Sequence, residues 1–536
     1  MNYRRKCPSP TLARWATAAA TIIFMASACT PGMPHIDGVP GASPDPSTPW
    51  TVPAQARTPP PPADPPRAPG ATDALRADSA ANASARMLSL TDVVDLALRN
   101  NPATREAWAN ARAAADEYGA ARGELFPSIN ANVNAIRTSG SGGTVVSNSG
   151  NGGIGGNGGT GIGTDSTGGT RTGTTSGGGG GATRVQLTPS VSLSYLIFDF
   201  GGRAGTIEAA RQRAISSDLA HNATIQDVVL EAQSTLFSFV ATRALRDAQR
   251  VAVQEAAADT AASEARLRVG VGTLEEVLQT RTALAQARFQ LATLEGQLLS
   301  ARANLATAMG LQANARFDIP SFTPTDSVST VAASVDTLVN RAIATRPELA
   351  EARADAKVLA AEVRIARSAG YPALTFSSAE SFVQPIQGTN LTTSHTTSLV
   401  LGLQIPVFNG FSRQYDVRAA RELYDAGLAR VASTQLQISL QVYTSYAALQ
   451  TATQRVSAAG DELASAQQSA DVALGRYREG VGTIVDVLLA RSALVSARAD
   501  EIQARWEWQT ALAQLAHDTG SLDRLGRPNI PLVNGR

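Results

Sequence analysis

The chain is written twice, and that duplication limits what it can fold into more than any other feature. Residues 266–288 read RLRVGVGTLEEVLQTRTALAQAR and residues 476–498 read RYREGVGTIVDVLLARSALVSAR; at an offset of 210, 13 of the 23 positions are identical. The same offset pairs Phe198 with Phe408, Arg203 with Arg413, and Ala209-Ala210-Arg211 with Ala419-Ala420-Arg421. Farther upstream, Asn101-Pro102 pairs with Arg346-Pro347 and Phe126-Pro127 with Tyr371-Pro372, now at an offset of 245. The offset changes by 35 residues, and a glycine-rich tract falls in that interval of the first copy. One unit of about 210 residues therefore occurs twice, with a loop added to copy one.

Each copy follows the same order. A short helix (Leu90 to Arg99; Val335 to Ala344) stops before a proline suited to the first turn of the next helix, which runs to Phe126-Pro127 or Tyr371-Pro372. A strand is predicted next, with Ile129, Ala131, Val133 and Ala135 alternating with Asn130, Asn132 and Asn134. A returning strand alternates Val185, Leu187, Val191, Leu193, Tyr195 and Ile197 with polar residues, and Leu399, Leu401, Leu403, Ile405 and Val407 repeat that apolar line in copy two. Period-two alternation with a polar second face fits a barrel wall between lipid and a wet lumen. A very long helix follows. Thr206 to Val269 contains neither Gly nor Pro, 64 residues that would extend about 96 Å. Gly270-Val271-Gly272-Thr273 reverses it, and a return helix runs to about Gly310. Copy two repeats this from Ser412 to Glu479, turns at Gly480-Val481-Gly482-Thr483 and returns to about Asp518. A helix this long cannot bury its apolar stripe within one chain, and four strands cannot close a barrel, for which eight is the practical minimum. Oligomerisation answers both problems.

Composition narrows the function. Forty-six basic against 45 acidic residues leave no positive excess for nucleic acid. Cys7 and Cys29 are the only cysteines and both precede residue 30, so the body has neither disulfide nor thiolate metal site; His35, His221, His395 and His517 are scattered singly. No metal or other cofactor is expected. No Ser-His-Asp order, H-E-x-x-H or Walker sequence is present, and no catalysis is expected. Arg4, Arg5 and Lys6 followed by an apolar stretch from Trp15 to Met25 read as an export signal, residues 1–28. At its end Ala26-Ser27-Ala28 fits ordinary cleavage, while Ala28-Cys29 fits a lipobox with Ala26 in place of the usual Leu; a cysteine at this boundary favours lipidation of Cys29. No later run of 18 apolar residues exists, so any membrane crossing must be a closed β-barrel. Residues 31–69 hold 14 of 27 prolines, and 29–87 read as a Pro-rich tether that makes no core; Gly140 to Gly181 hold 20 of 45 glycines and read as an exposed loop (138–183). Its Gly153, Gly155 and Gly158 form a G-x-G-x-x-G with no helix pattern behind it to receive a phosphate.

The tips Gly-Val-Gly-Thr-Ile-Val-Asp-Val-Leu (480–488) and Gly-Val-Gly-Thr-Leu-Glu-Glu-Val-Leu (270–278), and the strand-to-helix junction Phe198-Asp199-Phe200-Gly201-Gly202-Arg203, are similar to those of the TolC-like outer-membrane efflux proteins. The resemblance covers roughly residues 88–520. It implies a mainly α fold with a membrane β-barrel: a trimeric α-helical barrel plus a shared 12-stranded β-barrel, four strands per chain. The first repeat would span 88–319, a linker 320–334, the second repeat 335–520 and a tail 521–536. The implied role is a passive exit duct for drugs or other small molecules in a tripartite efflux system. It would sit in the outer membrane, extend into the periplasm, and dock a periplasmic adaptor and an inner-membrane pump.

On that resemblance the docking surface would be the tips, Gly270, Val271, Gly272, Thr273, Gly480, Val481, Gly482 and Thr483; the glycines are equally readable as plain turn residues. Asp486 stands where the family's second tip places a carboxylate lining the closed aperture, and Glu275 with Glu276 occupies the same stretch of copy one; all three are also readable as solvated helix-end charges. A second carboxylate found one turn later in some members is Leu489 here. The alternatives are a type I protein secretion channel, a periplasmic adaptor, which would flank one hairpin with small β-domains, and a coiled-coil fibre, which would lack the duplicated reversals.

Overall fold

The structure, a computed structural model, describes residues 43, 45–51, 88–140, 182–320, 329–331, 333–387, 393–522 and 532–534. The signal segment, Cys29, the linker's residues 321–328, most of the Pro-rich stretch and of the tail, and the glycine tract from 141 to 181 lie outside them. Copy one runs α1 (Leu90–Asn100), α2 (Pro102–Gly123), β1 (Ser128–Gly140), β2 (Ala182–Phe198), α3 (Gly202–Arg268) and α4 (Leu274–Ala308). After β3 (Ser329–Val331), copy two repeats it as α5 (Val335–Thr345), α6 (Pro347–Ser368), β4 (Ala373–Gln387), β5 (Ser394–Gln404), α7 (Ser412–Arg478) and α8 (Ile484–Asp518), and β6 (Leu532–Asn534) follows. The helix starts obey their local chemistry. Ser89 closes a capping box with Asp92, Ser334 caps α5, and Pro102 and Pro347 open α2 and α6.

Two compact units form. One comprises Ala120–Ala209 and Ala356–Gly427 and holds an antiparallel sheet in the order β1-β2-β4-β5. Its register aligns the alternation across all four strands. Ile129 faces Leu193, Leu193 faces Ser378, and Ser378 faces Leu399, while on the other surface Asn130, Ser192, Ala379 and Ser398 form one row. β1 pairs only with β2 and β5 only with β4 among the described residues, so both edges are open. Below the sheet, Arg203 donates to the Leu196 carbonyl at 2.8 Å and Arg413 to the Pro406 carbonyl at 2.9 Å, the same strand-to-helix clasp in each copy.

The other unit, Met1–Gly119 with Ala210–Asp355 and Leu428–Arg536, carries the main core, with Val93, Val94, Val229, Leu305, Met309, Leu338, Leu349, Val442 and Leu515 almost fully buried.

Three readings change. α2 ends at Gly123, short of Phe126, and α3 begins at Gly202, ahead of Thr206. Gly205 sits inside α3 because a Cβ there would lie 2.7 Å from the Ile365 side chain, a close approach that only glycine permits. The linker and the tail are not simple connections: β3 and β6 pair as a two-stranded sheet, Ser329 opposite Asn534. The Pro-rich stretch is not all tether. Ser43 and Trp50 are buried, because backbone groups of this segment are hydrogen-bonded by side chains of α2 and α3 and the indole is covered.

Candidate functional site: the two hairpin tips

Both tips use the same backbone solution. Gly270 has φ +80° and Gly480 φ +76°, the left-handed conformation that ends α3 and α7. Val271 and Val481 then donate back to the Arg266 and Arg476 carbonyls, each at 3.0 Å. A Cβ on Gly272 would lie 2.9 Å from Arg266 Cβ, and one on Gly482 would lie 3.1 Å from Arg476 Cβ. The turn alone accounts for the four glycines. Thr273 and Thr483 cap the return helices, accepting from the amides of Glu276 and Asp486, each at 3.2 Å. Val271 and Val481 stand at the apex, 64% and 69% exposed.

Beyond the turn the tips differ. Asp486 closes a capping box: its Oδ2 accepts from the Thr483 amide at 2.9 Å and the Thr483 hydroxyl at 2.8 Å. Those two bonds hold its carboxyl below the usual Asp range. Within one chain, then, the carboxylate proposed for the aperture is a helix cap. Glu276, one methylene longer at the equivalent place, closes no such box, and its Oε2 has no hydrogen-bond partner among the described residues. Ile484 is buried with Val487 and Tyr477, whereas Leu274, its copy-one counterpart, is exposed.

The two hairpins are latched to each other by residues that sequence reasoning passed over. The Arg266 guanidinium lies 5.0 Å from the Tyr477 ring centre. Arg491 of α8 pairs with Asp259 of α3 at 3.1 Å and with Glu255 at 3.5 Å, and Arg498 also reaches Glu255 at 3.5 Å. Burial raises the Asp259 carboxyl above its usual range, partly offset by Arg491. One signal was available. Position 477 is Tyr where copy one has Leu267, between two arginines that the repeat keeps, and this departure from the repeat faces the other copy.

Two further clusters hold copy one in place. His517, in the last turn of α8, pairs with Asp227 of α3 at 2.9 Å and with Asp518 at 3.1 Å; against the opposing effect of burial, those carboxylates lift its pKa to about 9. Three side chains grip the N-terminal segment by its backbone. Trp108 donates to the Ser43 carbonyl at 2.7 Å, His221 lies 2.9 Å from the Pro46 carbonyl, and Asn222 bonds both the amide and the carbonyl of Trp50, at 2.6 and 2.8 Å. Nothing in the repeat pattern marked this clasp, since its counterparts in copy two are Arg353, Val431 and Ala432.

The comparisons agree with this architecture. The profile described as outer membrane efflux protein matches residues 93–311 and 338–521. The chain is 26% identical over 461 residues to protein CyaE of Bordetella pertussis, covering 82% of this chain and 85% of that protein. To the outer membrane efflux protein BepC of Brucella suis it is 25% identical over 352 residues, 63% of this chain and 74% of the relative. In fold it is similar to the Campylobacter jejuni CmeC outer membrane channel, with a TM-score of 0.66 at 17% identity over 81% of this chain and 85% of that one. VceC of Vibrio cholerae gives a TM-score of 0.65 at 18% identity over 80% of this chain and 96% of that one.

Proposed function

The chain belongs to the outer membrane efflux protein family, and from that premise we propose that three copies assemble into one passive duct whose hairpin tips dock a periplasmic adaptor joined to an inner-membrane pump. It is an outer-membrane channel protein; the trimer, the partners and the tip residues are the proposal. The two efflux repeats, 88–319 and 335–520, would each supply one hairpin and half of the chain's sheet. The observation that carries the reading is the sheet. It has one apolar surface, one polar surface and two open edges, which four strands cannot join in lipid. Because β1 runs antiparallel to β2 and β4 to β5, the free edge of β5 can pair with β1 of a second copy and continue the ladder. α7 supports the same reading with Leu436, Leu440 and Tyr443, each at least 60% exposed. The duct performs no chemistry; its work is to open. The Arg266–Tyr477 and Arg491–Asp259 contacts are what opening would break, and an adaptor at Val271 and Val481 could draw the hairpins apart. Asp486 would contribute to the aperture with the carboxylate face that its cap leaves exposed, and Cys29 would carry lipid. Solubilised protein measured by light scattering should have the mass of three chains and shift to one on heating; a monodisperse monomer that nevertheless conducts in planar bilayers would refute the assembly.

A further inference from the structure

The sheet's charges sit on the unexpected side. Following the register, one surface carries Ile129, Ala131, Val133, Ala135 and Arg137 of β1; Leu187, Pro189, Val191, Leu193 and Tyr195 of β2; Leu374, Phe376, Ser378, Glu380, Phe382 and Gln384 of β4; and His395, Thr397, Leu399, Leu401 and Leu403 of β5. This is the apolar surface, and it holds Arg137, Glu380 and His395 besides Tyr195. Glu380 shares the row of Ala131 and Val191, His395 faces Phe382 in the next row, and Arg137 lies six residues beyond Ala131. His395 Nε2 lies 2.6 Å from Glu380 Oε1, its ring stacks 4.6 Å from Phe382, and Arg137 stands near the far end of β1. Arg137, closing the apolar line of β1, marks where lipid tails give way to headgroups, while Glu380 and His395 pair with each other nearer the middle of the band.

The opposite surface has no ionisable side chain from the Gln404 row to the Gln186 row; Arg184, opposite Thr138, takes the next position on it, at the level of Arg137 on the other surface. Ser128, Ser194, Ser377 and Val400 form one row; Asn130, Ser192, Ala379 and Ser398 the next; Asn132, Ser190, Ser381 and Thr396 the third. Thr375 and Gln404 extend it toward the helices, and Asn134 and Thr188 away from them; Ile136, Leu196, Val383 and Val400 interrupt the polarity without adding charge. Hydroxyls and carboxamides both donate and accept, so such a wall solvates cations and anions about equally. A ring of like charges would instead hold one sign and repel the other.

We infer that the barrel wall, from the helices up to the level of Arg137 and Arg184, is an uncharged hydroxyl-and-amide surface through which cations, anions and cargo of mixed charge pass alike, so that the membrane-spanning part of the duct imposes no charge selection. This rests on the proposed assembly, in which the polar surface is the lumen. Any discrimination by charge then belongs to the helical part, and the barrel suits cargo whose charge varies along its length.

The test reads local potential. Ser192→Cys and Ser377→Cys in the full chain are exposed, in planar bilayers, to a cationic (trimethylammonium) and an anionic (sulfonate) methanethiosulfonate, and the rate of current change is compared with each reagent's rate on a small free thiol. The parent, whose only cysteines are Cys7 and Cys29, gives the background. The cation-to-anion rate ratio is expected within about threefold of the free-thiol ratio, whereas a charged ring of several kT would displace it by more than about tenfold. A displacement of that size at both positions overturns the inference. Silence at Ser192→Cys with reaction at Val191→Cys would overturn it by another route, since the polar surface would then not be the lumen and the assembly itself would be misread. Equal modification at both serines with a silent Val191→Cys supports it.

Discussion

Helices α3 and α7 hold the same place in the two copies and are each 67 residues long, but they share only 10 of those positions and have been put to opposite uses. Asp218 of α3 is fully buried, with neither carboxylate oxygen hydrogen-bonded among the described residues; 210 positions later, Leu428 of α7 is 46% exposed. Ala209 is buried and Ala419 exposed. The difference teaches that burial in a duplicated chain is not a property of the repeat. Copy one's long helix is packed inside the protomer, against the N-terminal segment and the end of α8. Copy two's keeps an apolar face uncovered, which suits a neighbour of the same kind.

The hardest break of that contrast is to charge the uncovered face. Leu436→Asp together with Leu440→Asp should abolish the trimer in cross-linking while leaving the monomer's helical circular dichroism unchanged, since exposed substitutions cost a folded chain about 0.5 kcal/mol or less. A trimer that survives both would mean α7 faces water.

The next concerns the clasp that copy one alone receives. His517 has a folded pKa of about 9 against an ordinary 6.5. Its contribution is therefore complete below about pH 6.5 and is lost as pH rises through 9. His517→Gln should lower stability at pH 6.5 by about 2 kcal/mol in urea unfolding and flatten the profile between pH 6.5 and 9. A variant with the parent's slope would remove the imidazole from the account.

Asp218 runs the other way in origin. Burial raises its carboxyl to about 7 from 3.8, so the penalty is absent below 3.8 and grows as pH climbs toward 7. Asp218→Asn should raise the unfolding free energy at pH 8 by about 1–2 kcal/mol and change it little at pH 4. Equal effects at both pH values would mean that packing, not charge, dominates.

At the tips the effects are smaller. Arg266→Ala removes the contact with Tyr477 and should cost about 1 kcal/mol while raising the frequency of channel opening; Arg476→Ala, its copy-two counterpart, should do less. Smallest of all, Asp486→Asn should speed amide exchange in residues 484–487, whereas Glu276→Gln should leave 274–277 unchanged, because only Asp486 closes its box. Exchange that responds alike in both copies would erase the difference between the tips.

The order of elements was readable because each reports itself locally. Glycine and proline punctuate, period two or 3.6 fixes the element, and repetition doubles every signal. The equal lengths of the hairpins and the partner strands within each pair follow from the same signals. The tip glycines were legible as turn residues, since the left-handed conformation at 270 and 480 is a demand that sequence can express. Asp486 was legible as a helix-end acid, but its capping geometry was not. Whether a carboxylate at that place reaches back to the Thr amide depends on one methylene, and Glu276 fails where Asp486 succeeds.

By itself, then, the sequence determined the architecture: two copies, long hairpins, a strand pair in each with one apolar face, and no chemistry-bearing motif. Only the tertiary structure decided which of the two equivalent long helices is buried, that part of the Pro-rich stretch is clasped at Trp108, His221 and Asn222, and that Arg266 meets Tyr477. The physical reason is range. Helix, turn and alternation are set by groups a few residues apart, which the sequence places together. The clasp and latches join residues from 65 to more than 200 positions apart, and whether such groups meet depends on how the whole chain packs.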